Sequence, residues 1–171
     1  SDGVVDLYEK GVITGANKTL DKGRMVAAFL MGSKKLYNFV DNNPDVLMRT
    51  VDYVNNPAVI CQNPKVVAII SCLQVDINGQ VNSESMGIRQ FSGIGGQLDY
   101  VRGAAMCPDG KAILAMPSTA RHGEVSRIVP MFDPGTTVTT TRTDVHYIVT
   151  ECGVANLRAK SLRQRAKLLI S

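Results

Sequence analysis

The sequence predicts an α/β domain built on an open, mostly parallel sheet flanked by helices. Three observations lead there. Five or six apolar, β-branched stretches recur along the chain, the longest being VVAIISCLQVDI at 66–77. Short segments with helix-capping residues alternate with them. The chain has 171 residues, 44% hydrophobic and 20% charged, which is enough for one buried core. No run approaches the roughly 18 apolar residues of a membrane span.

The elements follow in order. Ser1-Asp2 supplies an N-cap for a helix near 3–10, with Val4, Val5, Tyr8 and Val12 apolar. MVAAFL at 25–30 reads as a strand. Ser33 caps a short helix through about Val40, closed by DNNP. LMRTV at 47–51 is extended, and Asn55-Asn56-Pro57 is a turn leading into a helical turn. The run 66–77 is a buried strand that Asn78-Gly79 turns into a hairpin. The glycine-rich stretch 92–97 precedes a helix around 98–106. Segments 111–119, 126–132 and 145–151 are further strands. The Thr-rich stretch 136–151 favours an edge or half-exposed strand. A final helix runs from Ser161, with Leu162, Ala166 and Leu169 on one face and Arg163 and Lys167 on another. Neither end carries a signal peptide or a closing cap, so the chain is expected to be a piece of a longer protein, one domain over residues 1–171.

Charge excludes some partners. The formal net charge is +4, but residues 156–171 alone carry five basic side chains and no acid, so the rest nets −1. Nucleic-acid binding would rest only on that tail, and with 5% aromatic residues and no Trp there are few stacking platforms. The four cysteines (61, 72, 107 and 152) form no C-x-x-C, and the two histidines lie 24 apart, so no metal site is expected. Their apolar surroundings suit reduced, buried thiols in a cytoplasmic protein.

Four segments carry chemistry or ordinary structure. Gly93-Ile94-Gly95-Gly96 before a helix offers converging backbone N–H groups to a phosphate or a developing oxyanion, or is simply a tight strand-to-helix turn. It fits neither G-x-G-x-x-G nor a P-loop. Asn55 offers a neutral amide donor, or forms a turn. Arg121 and His122 in PSTARHGEVSR suit a phosphate contact and a general base, or a solvated loop. Glu84 and Glu151 are the least ordinary acids, without an assigned role.

Together, SDGVVDL, NNPAVI, VDINGQVNSES, QFSGIGGQLDYVRGA and the stretch from SRIVPMFDPG to LRQRAK resemble the C-terminal domain of the acetyl-CoA hydrolase/transferase family, unbroken over nearly the whole chain. Its members acting on 4-hydroxybutyrate and butyrate are the nearest. The resemblance implies the CoA-transferase fold and ping-pong covalent catalysis through a glutamyl-CoA thioester. It places the nucleophilic glutamate just upstream of Ser1, so the isolated chain is expected to be inactive.

The resemblance also implies site residues. Gly95 and Gly96 match the loop whose backbone N–H faces the thioester carbonyl. Asn55 matches the second oxyanion contact, with Asn56 as the alternative. Ser92 and Arg121 match CoA-contacting positions, Arg121 standing where relatives often carry Lys. Implied partners are acyl-CoA, a short-chain carboxylate, the N-terminal half of the same enzyme and a second copy in a homodimer; no nucleic acid or membrane is implied. Coenzyme A is a substrate, and no cofactor is permanently bound. A hydrolase of the same family and a non-catalytic CoA-binding module are the other readings.

Overall fold

A computed structural model describes all residues, 1–171. Its helices are α1 (Gly3–Glu9), α2 (Lys34–Val40), α3 (Val51–Val54), α4 (Pro57–Ile60), α5 (Gln97–Met106) and α6 (Leu162–Ile170). Its strands are β1 (Met25–Ala27), β2 (Val46–Met48), β3 (Val67–Ser71), β4 (Gln74–Asp76), β5 (Val81–Asn82), β6 (Ser85–Met86), β7 (Arg89–Gln90), β8 (Lys111–Ala115), β9 (Thr119–Ala120), β10 (Val125–Ser126), β11 (Ile128–Val129), β12 (Tyr147–Thr150) and β13 (Gly153–Asn156). The central sheet has the order β13-β12-β8-β3. Strands β3, β8 and β12 run parallel, and β13 returns antiparallel. A second sheet, β11-β4-β5, and three two-stranded ribbons complete the fold. The expected α/β class with a mostly parallel central sheet is thus observed.

Small residues set the spacing of the layers. Ala68, Ala112 and Leu114 on one face of the sheet, and Val101 and Ala104 of α5, are buried in a single core with Val75, Val81, Ile148, Leu157 and Leu169. Helix α5 packs on β3 and β8 and against α4. There Gly103 lets α5 come so close that a Cβ would lie 2.6 Å from Cγ2 of Ile60. The opposite sheet face stays apolar and open, with Ile69 73% exposed and Val154 67% exposed.

Several expectations need correction. The run 66–77 is two strands in two sheets. The Cys72 N–H still donates to Ala115 O, but the Leu73 N–H already donates to Asn82 O, so the ladder changes partner within one residue. Both halves bury side chains in the same core, and the apolar pattern therefore reads as continuous. The hairpin after it forms as expected. Asp76 Oδ1 accepts from the backbone N–H of Asn78 and Gln80, and Gly79 takes φ +87°. Asp2 does not cap α1 with its side chain. It accepts from the Ser33 N–H and hydroxyl instead, tying α1 to α2 and holding its own carboxyl below the usual range. Ser33 and Ser161 do cap their helices, the latter in a reciprocal capping box with Gln164. In α6 the buried residues are Arg165 and Leu169, whereas Leu162 is exposed. Arg165 satisfies its guanidinium with the carbonyls of Lys160 and Arg142. Of the Thr-rich stretch 136–151, the later part forms β12, while the repeated threonines before it form one bridge, Thr140 to Val81. Cys72 and Cys107 are buried free thiols as expected, and burial pushes Cys72 up to about 12, but Cys152 is exposed.

His146 is buried with Nδ1 unpartnered and stacks on Tyr147. Burial, then the charges of Arg158 and Lys111, lowers its pKa. A base with a depressed folded pKa takes up its proton first in the unfolded chain. Stability from neutral His146 is therefore full above the unfolded value of about 6.5, and is lost as pH falls from there toward the folded pKa. His146→Phe is expected to flatten the fall in Tm between about pH 7 and 5; thermal melts across that range would contradict this by showing equal slopes in both proteins.

Candidate active site

The glycine loop is held from below and open above. The Phe91 and Ser92 N–H groups both donate to the carbonyl of Glu84. The Gln90 side-chain amide donates to Glu84 Oε1 and to Ser92 O, each at 2.7 Å, and accepts from Thr137 Oγ1. Beyond this clamp, the N–H groups of Gly93, Ile94, Gly95 and Gly96 donate to nothing within the chain. Gly95 takes φ +55°, which turns the chain into α5 with Gly96 as N-cap. Gln97, the first residue of the helix, is buried and anchors the turn by donating to Thr140 Oγ1. The start of α5 adds the partial positive charge of a helix N-terminus.

Asn55 comes to the same place from another direction. It ends α3, and its side-chain amide makes no hydrogen bond within the chain. A Cβ on Gly96 would lie 2.5 Å from Asn55 Nδ2 and 3.0 Å from its Cγ, so any side chain there would push that amide aside. Asn56, the neighbouring alternative, is committed elsewhere. Its Oδ1 accepts from the Ala58 N–H and caps α4, with Pro57 at the first helical position.

Asn55 and Gly96 both line a cavity of about 340 Å³ walled by Val26, Ala28, Phe29, Val54, Ile70 and Tyr100. The cavity takes in the carboxyl-terminal part of β1 and Ile70 near the end of β3, where ligands sit in open α/β sheets. Amide donors beside an apolar wall can stabilise a developing oxyanion.

The other sequence-flagged residues lie apart. Ser92 is exposed and turns its hydroxyl to the Gly93 carbonyl. Arg121 lines a separate cavity of about 440 Å³ with Arg127, Gln74, Ser85, Met86 and Asp133. It takes φ +49°, the first of three consecutive left-handed residues with His122 and Gly123. His122 lines neither cavity. Glu151 pins the base of this loop, accepting from the Ser118 N–H and hydroxyl, which hold its carboxyl below the usual range. Glu84 is the other acid that the motifs left without a role. It is buried, its backbone and side chain hold the entry to the glycine loop, and Ser85 beside it walls the Arg121 cavity.

A second, smaller chamber of about 180 Å³ adjoins the first and shares Val26, Val54 and Tyr100 with it. No sequence motif marked it. Its polar members come from segments far apart in the chain: Lys18, Asp21, Tyr53 and Asn63. Arg49, first, and then the Tyr53 hydroxyl hold the Asp21 carboxyl below the usual range against its burial, at 2.8 and 2.9 Å. Partial burial lowers the Lys18 ammonium, with Asp21 opposing.

Comparison with known proteins adds the following. The family described as acetyl-CoA hydrolase/transferase C-terminal domain matches residues 32–171. A 4-hydroxybutyrate coenzyme A transferase from Clostridium kluyveri is 57% identical over 171 residues, all of this chain and 40% of that protein. A butyryl-CoA:acetate CoA-transferase from Anaerostipes caccae is 42% identical, over 99% of this chain and 39% of that protein. The crystal structure of RipA from Yersinia pestis superposes with a TM-score of 0.93 at 49% identity, over 98% of this chain and 38% of RipA. The chain thus spans about two fifths of the length of these relatives.

Proposed function

Because the chain belongs to the acetyl-CoA hydrolase/transferase family, as its C-terminal domain, we propose that it supplies the oxyanion-stabilising half of an active site that moves CoA between an acyl-CoA and a short-chain carboxylate. One observation carries this reading. The unengaged amide of Asn55 and the unengaged N–H of Gly96 meet in one apolar cavity.

The steps balance around a glutamate carboxylate lying upstream of Ser1. Its oxygen attacks the thioester carbonyl carbon, and the carbonyl oxygen gains negative charge between the Asn55 amide and the Gly96 N–H. The C–S bond then breaks, leaving an acyl-glutamyl anhydride and CoA thiolate. The thiolate attacks the glutamyl carbonyl, releasing the first carboxylate and forming a glutamyl-CoA thioester. A second carboxylate runs the same steps in reverse and leaves as the new acyl-CoA. Covalent transfer replaces one difficult exchange by several easier ones. The oxyanion forms on the acyl carbonyl oxygen when the glutamate attacks, which is where the Asn55 amide and the Gly96 N–H act, and on the glutamyl carbonyl oxygen when the thiolate attacks. The Arg121 cavity, with two guanidinium groups, is the place for the anionic part of CoA. Neither a metal nor a resident cofactor enters the scheme. The family's hydrolases differ in letting water take the acyl group.

Asn55→Ala in the complete polypeptide is expected to lower kcat by about 100-fold, with KM for acyl-CoA changed far less. Hydroxylamine added with acetyl-CoA should trap the glutamyl thioester as a hydroxamate on the protein, and more slowly in the variant. A variant that exchanges CoA at the normal rate would remove Asn55 from the reaction. Release of free CoA without a carboxylate acceptor would turn the reading toward hydrolysis.

A further inference from the structure

We infer that the threonine segment 137–140 is a strut that aims the Gly96 N–H, with Thr140 as a positioning residue acting through Gln97. This rests on the CoA-transfer reading above, which makes that N–H an oxyanion donor. Three of the four residues 93–96 are glycine, so the torsions of the loop itself hardly restrain where its N–H groups point. Their direction has to come from whatever grips the two ends of the loop, and one segment grips both. At the entry, Thr137 Oγ1 donates to Gln90 Oε1 at 2.8 Å, and the Gln90 amide in turn holds the Ser92 carbonyl. At the exit, the Gln97 amide donates to Thr140 Oγ1 at 2.9 Å. Gln97 directly follows Gly96, and Gln97 and Thr140 are both buried.

The segment is itself fixed to the core. The Thr139 and Thr140 N–H groups both donate to the Val81 carbonyl, and the Val81 N–H donates to the Thr140 carbonyl. Thr139 Oγ1 accepts from the Ser83 N–H, and Ser85 Oγ accepts from the Thr137 N–H. Val81 and Thr140 are fully buried. A run of threonines without a strand thus has a use, since its hydroxyls hold side chains and backbone around the glycine loop. Position 140 needs the hydroxyl in particular. Valine has nearly the same shape but no lone pair, and it would leave the buried Gln97 amide without an acceptor. That side chain then turns to find another, and the glycines beside it let the Gly96 N–H turn with it. Donors held in place before the reaction stabilise an oxyanion more than donors that must be reoriented during it.

The test compares Thr140→Val with Thr140→Ser in the complete polypeptide, by steady-state CoA transfer from acetyl-CoA and by Tm. Valine keeps the volume and loses the hydroxyl; serine keeps the hydroxyl and loses the methyl. Valine is expected to lower kcat by about tenfold or more, with KM for acetyl-CoA within about twofold, in a protein still folded at the assay temperature. Serine is expected to hold kcat within about threefold of the parent, whatever happens to its Tm. A residue that only packs gives the opposite order, with valine tolerated and serine worse. That order, or a valine kcat within about twofold of the parent, would overturn the assignment. Gln97→Met is expected to match the loss in Thr140→Val, and the double variant to fall no further, because the two side chains act as one unit. Losses that multiply instead would overturn the route through Gln97. Thr137→Val reads the other end of the strut and serves if Thr140→Val fails to fold, because Thr137 is only half-buried. It is expected to lower kcat by about fivefold at unchanged KM; an unchanged kcat overturns the strut. Thr141→Val is the control, since the Thr141 hydroxyl faces Asp144 and not the loop. Its kcat should stay at the parent value, and a loss equal to that of Thr140→Val would overturn the special role of Thr140. A parent protein inactive with every acyl-CoA would sink the CoA-transfer reading and the strut together. An active parent without this pattern among its variants would sink only the strut.

Discussion

Gly96→Pro in the complete polypeptide is expected to cost about 100- to 1,000-fold in CoA transfer, the usual loss when one oxyanion donor is removed. Proline deletes the N–H, and its ring also brings a Cβ to within 2.5 Å of the Asn55 amide, so both donors are lost or displaced together. Gly96→Ala separates the two effects. It keeps the N–H, and the backbone at Gly96 (φ −91°) accepts alanine without strain, so any loss reports the displaced Asn55 alone. If alanine costs nearly as much as proline, the two amides act as one unit. Gly96→Pro at a near-normal rate, measured by steady-state transfer from acetyl-CoA, would move the oxyanion site elsewhere.

Gly110→Ala is expected to be the most damaging conservative change for the fold. Gly110 closes the turn between α5 and β8, donating to the Cys107 carbonyl. A Cβ there would fall on the Ala104 carbonyl oxygen and 3.0 Å from the Cys107 Cβ. Ala104 is fully buried, and the next N–H, of Lys111, opens the ladder of β8 by donating to Val66. Neither neighbour is a flexible side-chain tip, so α5 and β8 must part. Overpacking of this kind costs about 3 kcal/mol or more, equivalent to a Tm lowered by roughly 6–12 °C in a chain of this size. A melt within about 2 °C of the parent would show that the turn has slack.

Local signals were legible in the sequence, and distant ones were not. Ser33 and Ser161 cap the helices that follow them, and Asn78-Gly79 makes its hairpin, because each of those interactions closes within a few residues. Asp2 has the same capping chemistry but spends it on Ser33, 31 positions away. The change of sheet at Cys72-Leu73 left no mark, since both strands bury apolar side chains in one core and the run stays apolar through the change of hydrogen-bond partner. Helical periodicity put Leu162 on the buried face of α6. Its first turn overhangs the domain instead, and the long stem of Arg165 fills the space under Gly79. At the candidate site, the glycine loop and the Asn-Asn-Pro turn were visible as motifs. Choosing Asn55 over Asn56 by geometry needed the cap that Asn56 makes to Ala58. The Lys18 chamber had no motif because its walls come from residues 18–26, 53–66 and 100.

The close approach of α5 to α4 at Gly103 and Ile60 has a consequence for how such a site ages. Asn55 stands just before α4, and Gly96 just before α5. The distance between the two amides is therefore tied to the contact of two helices clasped outside the loops, two turns into α5 at Gly103 and at the end of the single-turn α4 at Ile60. Drift in the exposed loop residues 92–94 leaves that spacing alone, whereas a single methyl gained at Gly103 would lever the amides apart from a distance. Laboratory evolution toward new acyl groups has room in the loops, and the hinge of the clasp is where retuning would be abrupt.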